Sequence, residues 1–175
     1  MSEPTLPAPS PQVLARRVLA TARARGLKIA TAESCTGGMV AMNLTAIAGS
    51  SDVVDRGFVT YSNAAKIAMI GVPERLLAAH GAVSAEVAAA MAEGALRASD
   101  ADLAVAITGV AGPGGGSAEK PVGLVHLAAA SRNGQVNRIE RCYDPALGRA
   151  GIRKAATRDA LLMLLGLAEN TSISA

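Results

Sequence analysis

The sequence predicts a three-layer α/β/α sandwich around a mixed, mostly parallel sheet of about five strands, and three observations carry that prediction. Strand-like and helix-like segments alternate along most of the chain, the pattern of layered β and α elements. The core has to be aliphatic: with no Trp, one Phe and two Tyr among 175 residues, Ala, Val, Leu and Ile do the packing. Near the end, two strand-like runs flank Arg132-Asn133-Gly134. Asn-Gly between such runs is the strongest short signal for a hairpin, and a hairpin makes the sheet mixed.

Each element follows in order. Residues 1–11 are Pro-rich and read as a disordered leader, residues 12–168 as one domain, and residues 169–175 as a flexible tail. A helix is expected over 11–25, with Val13, Leu14, Val18 and Leu19 on one face and Gly26 as its stop. Residues 27–32 read as a strand, followed by a helix over 37–48 that Gly49 ends. A second strand spans 53–61 and leads into a short helix over 63–70, for which Asn63 is a cap, and another over 73–80. Ser84 is the expected cap of a helix to Ala98 that turns Val87, Met91 and Leu96 inward. Residues 101–109 are almost wholly apolar, as a central strand buried on both faces requires. A Gly-rich loop covers 109–123, the hairpin strands cover 123–131 and 135–143, and a last helix covers 148–167. The run Leu161 to Leu165 is apolar on every side of that helix, so it is deeply buried or lies at a subunit interface.

Composition excludes several classes. The chain carries 17 Lys and Arg against 14 Asp and Glu, a formal charge of +3. These cations are dispersed and the stacking aromatics of single-strand binders are missing, so no nucleic acid is expected as partner. No run of about 18 apolar residues suggests a membrane helix, and no secretory segment opens the chain. Two cysteines, Cys35 and Cys142, make no disulfide framework, and a reducing cytoplasm is the expected location. No His/Cys/Asp cluster has ligand spacing, so neither metal nor cofactor is expected.

Polar or Gly-rich segments leave three strands, after residues 32, 60 and 108, and in such sheets ligands gather beyond strand carboxyl ends. The segment Ser34-Cys35-Thr36-Gly37-Gly38 admits two readings. Ser34 or Thr36 caps the helix behind it, or Ser34 attacks a carbonyl while free N–H groups hold the oxyanion. A serine nucleophile needs a base. His80, at a helix end, and His126, within an apolar strand, read as structural. Lys66 lies about one turn into the helix after Tyr61, and it is a base if buried or a solvated side chain if not. Cys35 ranks behind Ser34 as a nucleophile because no histidine accompanies it. Arg149 and Arg153, four apart, share a helix face and either clamp a phosphate or face water.

Six blocks taken together, TAESCTGG, VTYSNAAK, HGAVS, ITGVAGPGGG, EKPVG and RAGIRKAA, closely resemble the CinA C-terminal domain family in order and spacing. The resemblance covers about residues 13–167. It implies a three-layer α/β/α fold and metal-independent hydrolysis of the carboxamide of nicotinamide mononucleotide, giving nicotinate mononucleotide and ammonia. It implies that Ser34 is the nucleophile, Lys66 its base, and that Tyr61 assists proton traffic or orients the lysine. Cys35, Thr36, Gly37 and Gly38 join the substrate-binding set, with the N–H groups around Thr36, Gly37 and Gly38 as oxyanion hole. Thr108, Gly109 and Gly112 line the nucleotide site, and Arg149 or Arg153 meets phosphate or ribose. A homodimer is implied as well. Where the family pattern commonly places an acidic residue before the first arginine, this chain has Gly148, and Asp144 lies nearby out of register. Many relatives carry a second, N-terminal domain, for which these 175 residues leave no room. The rival reading is a regulatory module that binds pyridine nucleotides without hydrolysing them. A DNA-uptake accessory role is the third.

Overall fold

The computed structural model describes residues 8–171. Its elements are α1 (Pro11–Ala24), β1 (Ile29–Glu33), α2 (Met39–Thr45), β2 (Val54–Val59), α3 (Asn63–Ile70), α4 (Glu74–His80), α5 (Ala85–Arg97), β3 (Leu103–Gly109), β4 (Leu124–Ser131), β5 (Val136–Cys142) and α6 (Gly148–Asn170). The sheet order is β2-β1-β3-β4-β5. β1 pairs in parallel with β2 and β3, and β4 pairs antiparallel with β3 and β5, so β4 alone runs against the other four. This is the mixed, mostly parallel, three-layer sandwich expected from the sequence.

Period-2 alternation sorts the strand side chains into two layers. Ile29, Leu103, Val105, Ile107, Val125 and Leu127 face α1 and α6. Ala30, Ala32, Ala104, Ala106, Ala128 and Ala130 face α5, which answers with Ala88, Ala92 and Ala95. Alanine on both surfaces lets α5 sit close to the sheet. The first layer carries the larger side chains, and each fully buried Leu, Ile or Val there contributes roughly 1.5–3 kcal/mol.

Local signals explain most boundaries. The Ser10 hydroxyl accepts the Val13 N–H at 3.4 Å and Pro11 opens α1. Ser84 caps α5 by accepting the Val87 N–H at 3.3 Å. α3 is capped by Ser62 rather than Asn63: the Ser62 hydroxyl accepts the Ala65 N–H at 3.0 Å, and Asn63 is already the first helical residue. The expected leader falls mainly outside the described residues, apart from residues 8–10 and Pro11. Of the expected tail, residues 169–175, only 169–171 are among the described residues. Glu169 and Asn170 complete α6, and Arg25 donates to the Thr171 carbonyl at 2.9 Å. The apolar run of α6 is spent inside the chain: Leu161 and Leu164 are fully buried and Leu165 nearly so, leaving Leu162 at 42% exposure.

Gly109 ends β3 for a packing reason. A Cβ there would stand 2.6 Å from Val125 Cγ2 and 2.7 Å from the Leu124 carbonyl oxygen. Gly109→Ala is expected to cost about 1–3 kcal/mol by overpacking. Thermal denaturation checks this, at roughly 2–4 °C of Tm per kcal/mol for a chain of this size. An unchanged Tm would show that β3 and β4 separate there without cost.

Candidate active site

The carboxyl ends of β1, β2 and β3 bring three segments to one edge of the sheet. The Ser34 N–H donates to the Ile107 carbonyl at 2.9 Å, tying the turn after β1 to β3. The Thr60 N–H donates to the Glu33 carbonyl at 2.9 Å, tying the exit of β2 to β1. α3 starts directly behind, so Lys66, one turn in, points back under Ser34. Its Nζ lies 3.2 Å from Ser34 Oγ and 2.8 Å from the Thr60 carbonyl oxygen.

Lys66 is 1% exposed, among the largest fully buried side chains. Among the described residues no carboxylate lies within 4.0 Å of its amine. Burial pushes its pKa below the usual lysine range, with a smaller opposing effect from Cys35. An uncharged amine has one lone pair and two protons. The geometry suits a proton donated to the Thr60 carbonyl and the lone pair turned to the Ser34 hydroxyl. Cys35, beside them, is the poorer nucleophile, because burial pushes its thiol up to about 11.

The donors near the serine differ from the expected set. Gly37 and Gly38 both have positive φ, 59° and 95°, so they form a turn and α2 begins only at Met39. Neither Ser34 nor Thr36 caps α2. The cap is Glu33, fully buried, whose carboxylate accepts the N–H groups of Gly38, Val40 and Ala41 at 3.0, 3.1 and 2.9 Å. The Gly37 N–H donates to the Ser34 carbonyl at 3.0 Å. Gly37 and Gly38 are therefore not free donors, since turn and carboxylate have taken them. Among the described residues, the main-chain N–H groups of Cys35 and Thr36 are left without an oxygen acceptor. The Thr36 hydroxyl is also buried and unpartnered.

Both arginines of α6 reach this edge, and they do different things. Arg153 donates to the carbonyls of Cys35 and Thr36 at 3.0 and 2.8 Å. Arg149 donates to the Gly112 carbonyl and to the Tyr61 hydroxyl, both at 2.9 Å. Neither has a carboxylate within 4.0 Å among the described residues, so neither forms an ion pair there. Tyr61 is 60% exposed and hydrogen-bonds Arg149; the contact that orients Lys66 is the Thr60 carbonyl. Thr108 is buried and donates to the Ala82 carbonyl at 2.7 Å, fastening the segment before α5.

Sequence reasoning missed Glu33 and Thr60. Glu33 carried a usable signal: a carboxylate at the end of a buried strand must find donors, and the Gly-rich turn supplies them. Thr60 acts through its carbonyl, which no sequence reveals.

A separate cleft of about 520 Å³ is lined by His80, Ser84, Lys120, His126 and Glu140, among others. Ser84 there is occupied capping α5, and His80 and His126 stand 3.8 and 3.7 Å from Glu86 and Glu140. Burial lowers the His126 pKa, against a smaller opposing effect of Glu140. Among the described residues no three His, Cys, Asp or Glu side chains are grouped to hold a metal ion. No helix among them is long and apolar enough to cross a membrane.

An α/β/α sandwich thus gathers a serine, a buried lysine and two arginines at its strand carboxyl ends, where sheets of this kind place their ligands. Comparison with known proteins gives the lineage. The chain belongs to the CinA family: the model of the CinA C-terminal domain matches residues 11–168. The nicotinamide-nucleotide amidohydrolase PncC of Escherichia coli (strain K12) is 52% identical over 151 residues, 86% of this chain and 90% of that protein. A CinA-like protein of Anaeromyxobacter dehalogenans (strain 2CP-1) is 54% identical over 147 residues, 84% of this chain. The chain spans 35% of that relative's length. Among solved structures, the competence/damage inducible protein CihA from Agrobacterium tumefaciens superposes with a TM-score of 0.89 at 56% identity, covering 93% of this chain and 98% of that one.

Proposed function

We propose that this chain hydrolyses the carboxamide of nicotinamide mononucleotide to nicotinate mononucleotide and ammonia, with Ser34 as nucleophile and Lys66 as base. The observation that carries the proposal is a buried amine, with no counter-ion among the described residues, 3.2 Å from a serine hydroxyl. A module that only binds nucleotides has no use for that pair. The similarity to the E. coli amidohydrolase supports the choice of substrate class.

The Ser34 oxygen bonds to the amide carbon as its proton passes to the Lys66 amine. The resulting oxyanion is held by main-chain N–H groups. The C–N bond then breaks, the lysine ammonium returns its proton to the leaving nitrogen, and ammonia departs. Water, deprotonated by the same amine, attacks the acyl-serine, and the proton returns to Ser34 as nicotinate mononucleotide leaves. Arg149, held between Tyr61 and Gly112, meets the substrate phosphate. Thr108 and the loop after Gly109 shape the nucleotide side of the crevice.

The same proposal includes a cytoplasmic location, consistent with Cys35 and Cys142 both being free. It also includes pairing of two copies. The first test is direct: purified protein, nicotinamide mononucleotide and a chelator, with ammonia and nicotinate mononucleotide measured together. Equal amounts of both products are expected. Tight binding of the nucleotide with no product would replace the enzyme reading by the binding-module reading.

A further inference from the structure

We propose that Glu33 and Arg153 are positioning residues that clamp the Ser34–Gly38 turn from opposite sides, so that the N–H groups of Cys35 and Thr36 form the oxyanion hole. The inference rests on the amidase reading above and reassigns Arg153 away from the substrate phosphate.

The hydrogen bonds divide cleanly. Glu33, an anion under the turn, takes the N–H groups of Gly38, Val40 and Ala41. Arg153, a cation reaching over from α6, binds the carbonyls of Cys35 and Thr36. In a planar trans peptide the carbonyl and the following N–H point in opposite directions. Binding the Cys35 carbonyl to a guanidinium therefore aims the Thr36 N–H away from Arg153. It also polarises that N–H, because hydrogen bonds along a peptide reinforce one another. A carboxylate buried this deeply is stable only with several donors, and three main-chain N–H groups provide them. Glycine at 37 is called for by its φ of 59°, since a Cβ there would meet Arg153 Nη2 only at an ordinary contact of 3.4 Å. Arg153 thus has its forked donors engaged in the turn, whereas Arg149 binds one loop carbonyl and one exposed hydroxyl that a phosphate can displace.

Kinetics of Glu33→Gln, Arg153→Lys and Arg149→Lys on the full chain test this, alongside calorimetric binding of ribose 5-phosphate. Glu33→Gln and Arg153→Lys are each expected to lower kcat about 10²–10³-fold, the usual effect of losing one oxyanion donor. KM and the Kd of ribose 5-phosphate should stay within about threefold, because ground-state binding is untouched. Arg149→Lys should weaken ribose 5-phosphate by about tenfold or more. Two results overturn the proposal: Arg153→Lys weakening ribose 5-phosphate as Arg149→Lys does, or kcat unchanged in both clamp variants. If Glu33→Gln does not fold, Arg153→Lys, which leaves the β1 core intact, carries the test. If the unsubstituted chain releases no ammonia, the amidase reading fails separately, and amide exchange then judges the clamp. Exchange at Gly37, Gly38 and Val40 about tenfold faster in the folded variants supports it, and unchanged exchange overturns it.

Discussion

Replacing Ser34 with alanine is expected to lower ammonia release from nicotinamide mononucleotide by on the order of 10⁴–10⁶-fold, the scale of losing the nucleophile in other covalent hydrolases. The fold should survive. Ser34 is only partly buried, and its side chain's hydrogen bond is to Lys66. The turn's geometry comes from main-chain contacts to Ile107, Glu33 and Arg153, none of which uses the serine oxygen. Cys35 offers no substitute nucleophile, because its thiol is pushed up to about 11 and stays protonated at neutral pH. Substrate binding should persist, since the phosphate contact and the N–H groups remain. Calorimetric binding and a sensitive ammonia assay on the same variant separate the two effects. Turnover within tenfold of the unsubstituted chain would remove Ser34 from the mechanism.

The architecture was legible because its signals are local. The Asn133-Gly134 turn, the apolar run of β3 and the Ser84 cap each act within a few residues, and each produced its element. The convergence of three strand exits followed from topology rules alone. The chemistry of Lys66 was not local. On α3 its neighbours in sequence are ordinary, and only docking of that helix behind β1 and β2 buries the amine and removes any counter-charge. Glu33 was missed, and the choice between Arg149 and Arg153 was left open, for a related reason. The bonds of a buried carboxylate to main-chain N–H groups, and of a guanidinium to main-chain carbonyls, are set by tertiary geometry that local sequence does not carry. Of the expected donors around Thr36, Gly37 and Gly38, the two glycine N–H groups are taken, and those of Thr36 and its neighbour Cys35 have no oxygen acceptor among the described residues. Side chains with two possible employers are decided by tertiary geometry.

The second large effect belongs to Lys66→Met, which keeps the stem of the side chain and removes the amine. Loss of a general base is expected to lower kcat about 10²–10⁴-fold. In the unsubstituted chain, activity should rise with pH as the buried amine loses its proton, with an acid limb below the ordinary lysine range of about 10.4. Stability should respond in the same direction. Burial lowers the amine's pKa in the folded chain, whereas in the unfolded chain it is near about 10.4. Between those values the unfolded chain binds a proton that the folded chain lacks, so stability rises with pH across that window. Below the lowered pKa the full cost of a buried charge is carried. Lys66→Met has no such group, so its stability relative to the unsubstituted chain is greatest at low pH and declines as pH approaches about 10.4. Denaturant midpoints of both proteins across that range measure the difference. A difference that stayed constant with pH would mean that the folded-state amine titrates like a solvated lysine, and a lysine charged at neutral pH cannot take the proton of Ser34.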